Sequence, residues 1–237
     1  MDGHLITLGG ERHEITPAAL RALIDSSSKF WLDLDGLDHQ TAQTLLGDTF
    51  GFHPLAVEDT EHFGQRPKLD TYEGHALMVV FGVTEARSLV EVHCYHTENY
   101  LVTVHHDPCP DLTRLGDRLQ RGGVPKLDQL MLLYRVVDTL VDGYFPVLAS
   151  LDDDIDELED AILERPTEQQ LGQLFDMKRS LIAIRKVVSP QRDMLATILT
   201  GRQALPGMMS ELFYALKQPV YITRVFSKEM SLQHQRI

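Results

Sequence analysis

The spacing of apolar positions changes about halfway along the chain, from short runs broken by turn residues to a long three-to-four-residue step. Leu5-Ile6-Thr7-Leu8, Gly9-Gly10 and the stretch to Ile15 predict a hairpin, because paired glycines supply the positive φ that tight turns need. Thr16 followed by Pro17 predicts a helix over Ala18 to Ile24, with the threonine oxygen capping free N–H groups and proline suited to the first turn. Phe30, Leu32 and Leu34 alternate with Trp31, Asp33 and Asp35, the pattern of a half-buried strand. Asp38 is placed to cap a helix that runs through Leu45 and Leu46 to Gly51. His53-Pro54 then starts a short helix carrying Leu55, Ala56, Val57, Glu58 and Asp59. Leu69 to Tyr72 and Leu77 to Val83 read as strands, and Val92 to His96 pairs with Tyr100 to Val104 in a hairpin about Glu98-Asn99.

Gly122-Gly123 before Pro125 marks the strongest boundary, after which turn residues become sparse. From Leu127 the positions Leu130, Leu133, Val137, Leu140, Tyr144, Leu148, Leu151, Ile155, Leu158 and Ile162 predict one long amphipathic helix ending near Arg165-Pro166. Thr167 and Gln170 match a capping box, opening a second helix whose stripe runs through Leu171, Leu174, Leu181 and Val188 towards Pro190. Joined by a short turn, the two helices are expected to pack antiparallel, with Pro146 and Pro190 each marking a kink or a break. The predicted class is α/β (α+β): an N-terminal mixed β-sheet flanked by helices, followed by long antiparallel amphipathic helices. The expected divisions are an α/β domain over 1–122, a long-helix region over 123–200 and a divergent basic tail over 201–237.

Composition narrows the function. The chain has 237 residues with 22 Lys+Arg against 35 Asp+Glu, a formal charge of −13, so no basic stripe exists for a nucleic-acid backbone and a charge-selected ligand should be a cation. Two cysteines, Cys94 and Cys109, form no disulfide framework, and no basic-then-apolar leader precedes the first strand, which points to a reducing, cytoplasmic setting. The longest apolar run, Ala76 to Val83, is eight residues, well short of the ~18 a spanning helix needs.

None of the phosphate-cradling, nucleophile-elbow or H-E-x-x-H motifs occurs, so an enzyme is disfavoured, including a metal-dependent hydrolase built on Glu58, Asp59, His53 or His62. Cys94 and His96 share one strand face, with His93, His105, His106 and Cys109 nearby in sequence, but they lack the paired spacing of a structural zinc site. Seven acids stand between Leu151 and Ala161, yet Glu157 replaces the glycine and Leu163 the glutamate that a calcium loop starting at Asp152 requires. A solvated helix face is the simpler reading of that run. Glu58, Asp59 and Asp138 are more informative, because each carboxylate is set among apolar neighbours and so needs a cap, an ion pair or a cation. Magnesium binds through one or two carboxylates while keeping several waters.

Gly51-Phe52-His53-Pro54-Leu55-Ala56-Val57-Glu58-Asp59, Gln65-Arg66-Pro67-Lys68 with Tyr72, Tyr134-Arg135-Val136-Val137-Asp138 with Leu140-Val141-Asp142-Gly143-Tyr144-Phe145, and Leu163-Glu164-Arg165-Pro166 together resemble the CorA family. The order and spacing match over roughly residues 30 to 195. The resemblance implies the cytoplasmic regulatory domain of a magnesium and cobalt channel, a homopentamer whose membrane part is two C-terminal spans. It also implies that Glu58 and Asp59 fall on intersubunit sites for regulatory magnesium, with Asp138 as a partner position. Residues 201–237 depart from the family pattern: Gly207-Met208-Met209 is not its Gly-Met-Asn pore motif, Pro219 interrupts the expected stalk, and Lys217, Arg224, Lys228 and Arg236 make the tail basic. Association with a membrane is therefore expected only through a C-terminal part not seen in this sequence. The alternatives are the zinc-transporting branch of the same superfamily, with Zn2+ or Co2+ as cargo, and a soluble cation-binding or oligomerisation module without a pore.

Overall fold

The computed structural model describes residues 2–122, 128–200 and 205. Seven strands form one mixed sheet: β1 (Asp2–Thr7), β2 (Arg12–His13), β3 (Phe30–Asp35), β4 (Lys68–Tyr72), β5 (His75–Val83), β6 (Leu89–His96) and β7 (Tyr100–His105). Their order is β2-β1-β3-β7-β6-β5-β4. Only β3 and β7 run parallel, with Leu32 opposite Val102, and every other pair is antiparallel. Both predicted hairpins and the mixed sheet are present.

Both faces of the sheet are covered, which corrects the expectation of a half-buried β3. Phe30, Leu32, Leu34, Val79 and Tyr95 join one core, while Trp31, Met78, Val80 and Cys94 join a second on the opposite face. Asp33, expected to face water, is buried because helices pack over that side. Its carboxylate accepts a hydrogen bond from Thr103 Oγ1, which in turn accepts one from Trp31 Nε1 at 2.9 Å. A buried charge requires such partners.

The first face carries α1 (Pro17–Asp25), α2 (His39–Ala42) and α3 (Pro54–Glu61). Thr16 caps α1 through the Ala19 N–H, and Asp38 caps α2 through the Thr41 N–H at 2.9 Å. The predicted helix to Gly51 continues from α2 as a π-helix over Gln43–Thr49. The second face carries α4 (Pro110–Gln120) and α5 (Gln129–Asp142), whereas α6 (Tyr144–Glu164) and the middle of α7 (Glu168–Leu199) return to the first core and only the end of α7 reaches the second.

The single long helix predicted from Leu127 is two, broken at Gly143. A Cβ there would lie 2.9 Å from Asp111 Oδ2 and 3.5 Å from the Val83 carbonyl, so glycine permits the close approach. Pro146 is the third residue of α6, where its missing N–H leaves no helical bond unmade. Pro190, by contrast, lies inside α7, which continues to Leu199 instead of stopping. Packing overrides the break: Leu195 and Ile198 are buried in the second core, and Gln191, fully buried, bonds the backbone of β5. Its Oε1 accepts the Phe81 N–H at 2.7 Å and its Nε2 donates to the Phe81 carbonyl at 3.3 Å, an oxygen that also takes the Tyr144 hydroxyl at 3.0 Å. Thr167 and Gln170 form the predicted capping box at the start of α7.

The far end of the α6–α7 hairpin leaves Leu163, Leu171 and Phe175 exposed, although Leu171 falls on the predicted inward stripe. Helix α5 packs on β5, β6 and β7, so the start of the long-helix region shares a core with the sheet. Among the described residues no helix is long and apolar enough to cross a membrane. Pro125, Leu127 and the divergent tail, with Gly207-Met208-Met209, Lys217, Pro219, Arg224, Lys228 and Arg236, lie outside the described residues.

Candidate functional site

Helix α3 is held in place from both ends. His53 Nδ1 accepts the Leu55 N–H at 3.2 Å and Pro54 occupies the first turn, while Ala56 and Val57 anchor the helix in the first core. At its other end the Thr60 hydroxyl lies 2.8 Å from His93 Nδ1 and 2.6 Å from the Tyr95 hydroxyl, which donates to the Ala56 carbonyl. His93 Nε2 meets Glu91 Oε1 at 2.7 Å, and the Glu91 carboxylate accepts the N–H groups of Gly64 and Gln65. This buried chain fixes the loop that leads from α3 to β4.

That scaffold presents Glu58 and Asp59 on the rim of a cleft of about 460 Å³, together with His62, Lys68, Asp70 and Tyr72. Glu58 is exposed and Asp59 half-buried. Lys68 Nζ donates to Asp59 Oδ2 at 2.6 Å and lies 3.0 Å from Asp70 Oδ2. Partial burial draws the Lys68 ammonium down, but the hydrogen bonds and charges of Asp59 and Asp70 outweigh it and leave its pKa raised. Sequence reasoning gives Lys68, Asp70 and Tyr72 no role in the site, although the two-residue period of a strand puts all three on one face.

Asp138 is on the other side of the molecule. It stands on α5 above a cleft of about 1030 Å³ that α4 and α5 line with Asp111, Arg114, Arg118, Arg135 and Asp142. Burial pushes its carboxyl above the ordinary range, against the pull of the Tyr134 hydroxyl, Arg135 and Arg118. Asp142, one turn further on, is raised by burial and then by Asp138 itself. Its place four residues after Asp138 is the signal the sequence offers for it.

The predicted residues are therefore not brought together within one chain. Asp59 and Asp138 sit on helices that cover opposite faces of the sheet. Among the described residues no group of three or more His, Cys, Asp or Glu side chains could hold a metal ion. The donor chemistry nevertheless suits a hard, hydrated divalent cation: Glu58, Asp59, Asp138 and Asp142 offer only oxygen, and the last two are crowded carboxyls that a positive charge would relieve.

The histidine and cysteine alternative fails on position: His93 belongs to the Thr60 chain, and among the described residues Cys94 and Cys109 converge with no further His, Cys, Asp or Glu into a group of three. Both cysteines are buried free thiols, and burial raises the pKa of each. The acidic run stays helical in α6, as expected, and one of its members is structural: Arg87 Nη2 pairs with Asp154 and donates to Ser150 Oγ at 2.8 Å.

A mixed sheet with helices on both faces thus leads into a helical hairpin, and oxygen donors stand on two separate faces. Residues 26–228 match the family model for CorA-like Mg2+ transporter protein, and the chain belongs to that family. It is 32% identical over 181 residues to the cobalt/magnesium transport protein CorA of Thermotoga maritima, covering 73% of this chain and 52% of that one. It is 26% identical over 199 residues to the zinc transport protein ZntB of Yersinia enterocolitica, covering 82% of this chain and 59% of that one. The chain thus spans little more than half the length of these curated relatives. Its fold matches the soluble domain of CorA from Methanocaldococcus jannaschii with a TM-score of 0.75 at 18% identity, over 100% of this chain and 96% of that one.

Proposed function

We propose that this chain is the cytoplasmic regulatory domain of a divalent-cation transporter, and that it senses magnesium through carboxylates contributed by adjacent copies in a ring. The observation that carries this reading is the placement of Asp59 and Asp138 on opposite faces of one chain, so that a neighbouring copy is needed to bring them together. With magnesium abundant, ions between Glu58 and Asp59 of one copy and Asp138 of the next offset carboxylate repulsion and favour a closed ring. With magnesium scarce the acids repel and the ring loosens, a population shift driven by differential affinity.

The test is the sedimentation coefficient and thermal midpoint of the chain across a MgCl2 series at constant ionic strength, for the parent, Asp59→Ala and Asp138→Ala. Binding to the assembled state must raise both in the parent, and each variant must blunt the rise. Equal responses in all three would remove the sensor reading. Similarity to the zinc transport protein supports a second reading, zinc as cargo. Repeating the series with ZnCl2 separates them, since a zinc-tuned site responds at far lower metal concentration.

A further inference from the structure

Resting on the proposed magnesium-sensing role of Asp59, we infer that Lys68 is a tethered competitor for the cation, setting how much divalent metal is needed and excluding monovalent ions. Its ammonium bridges two carboxylates of one cleft, 2.6 Å from Asp59 Oδ2 and 3.0 Å from Asp70 Oδ2. The bridge engages one of the two Asp59 carboxylate oxygens and neutralises the charge they share. The backbone that carries the lysine is fixed: Lys68 is the first residue of β4, paired with Val79 of β5, and the preceding loop is clamped by Glu91. Only about 30% of the lysine side chain and 22% of the Asp59 side chain remain exposed, so the pair is screened less than an ion pair on the open surface.

The charge balance explains the selectivity. Asp59, Asp70 and Lys68 together carry one net negative charge, and a potassium or sodium ion arriving there finds the best oxygen already neutralised. Replacing one tethered +1 charge by a free +1 charge gains no electrostatic energy and costs the immobilisation of a free ion. A +2 ion can repel the ammonium out of the bridge and still be attracted by two carboxylates, with Glu58 on the same rim. Without Lys68 the cleft becomes a plain pair of acids, tighter for magnesium and open to monovalent ions. Partly screened ion pairs contribute modestly, so removing the bridge should shift the magnesium response by about tenfold, equivalent to ~1.4 kcal/mol.

The experiment measures the thermal midpoint of the chain against MgCl2, and separately against KCl with choline chloride as the inert salt. The proteins are the parent, Asp59→Asn, Lys68→Met, Lys68→Gln, Lys68→Arg and the double variant Lys68→Met with Asp59→Asn, each checked by far-ultraviolet circular dichroism. Lys68→Met and Lys68→Gln should reach half-response at about one tenth of the parent's magnesium concentration and gain a potassium response. Lys68→Arg, which keeps the charge, should behave as the parent, and the double variant should lose the magnesium gain. A parent response that depends on Asp59 but is the same in Lys68→Met and Lys68→Gln overturns the competitor role and leaves magnesium sensing intact. Absence of any Asp59-dependent response in the parent and in the Lys68 variants overturns both.

Discussion

His96 should make the fold acid-sensitive in a way that one substitution removes. It is 1% exposed on the same face of β6 as Cys94, under the start of α5, and neither ring nitrogen has a hydrogen-bonding partner among the described residues. Burial pulls its pKa from 6.5 down to about 4, with Asp128, the α5 cap, resisting only in part. The folded chain therefore keeps a neutral ring while the unfolded chain takes up a proton below pH 6.5. Stability is full above that value and falls as pH drops towards 4, because the unfolded state binds more protons over the whole interval. The linkage relation gives a loss of roughly 2–3 kcal/mol between pH 8 and pH 4.5 from this residue alone. Urea unfolding of the parent and of His96→Phe at several pH values, at one protein concentration, measures it. The phenylalanine variant should match or exceed the parent at pH 8, since it removes an unpartnered polar ring, and its stability should fall by roughly 2–3 kcal/mol less on acidification. Parallel pH profiles for the two proteins would show that His96 does not carry the acid sensitivity. His96→Leu repeats the comparison without a ring to pack.

Two further outcomes follow from the β3 side of the sheet. Thr103→Val keeps the shape but leaves Trp31 Nε1 and the buried Asp33 each short of a bond, and should cost about 2–3 kcal/mol in urea unfolding; a cost within 0.5 kcal/mol, roughly that of a neutral surface change, contradicts the need for that chain. Gly3→Ala puts a Cβ 2.1 Å from the Asp33 carbonyl, backbone against backbone, and should cost at least ~2 kcal/mol. Gly9→Ala, whose Cβ meets nothing nearer than Thr7 Oγ1 at 3.8 Å, is the control, and equal effects of the two would refute the steric argument.

The sheet and the starts of the helices are legible in the sequence because their signals are local. Thr16, Asp38 and Thr167 each sit just before a helix and cap it, while the alternation along β3 and the β-branched run of β5 mark strands whatever covers them. The features that escape such reading are non-local. The break at Gly143 depends on Asp111 and Val83 lying against it, and the passage of α7 through Pro190 depends on Gln191 reaching Phe81. Neither contact leaves a mark in a window of neighbouring residues. The burial of Asp33 is similar, since its satisfaction by Thr103 spans 70 positions. For the candidate site, family motifs point to Glu58, Asp59 and Asp138, whereas the Lys68 bridge requires knowing that β4 turns its face towards α3.

The amide of Gln191 has a mechanical consequence. β4 pairs with β5 only as far as Val79, so at Phe81 the sheet would offer an unmet N–H beside a carbonyl held by Tyr144 alone, the kind of edge that recruits another strand. Gln191 meets both with one planar group, acting as a single-residue surrogate strand supplied by a helix. A sideways slip of α7 by one residue would leave the Phe81 N–H and the Gln191 amide without partners in a dry interior, while the Phe81 carbonyl kept only Tyr144, so this one amide fixes the register of helix against sheet.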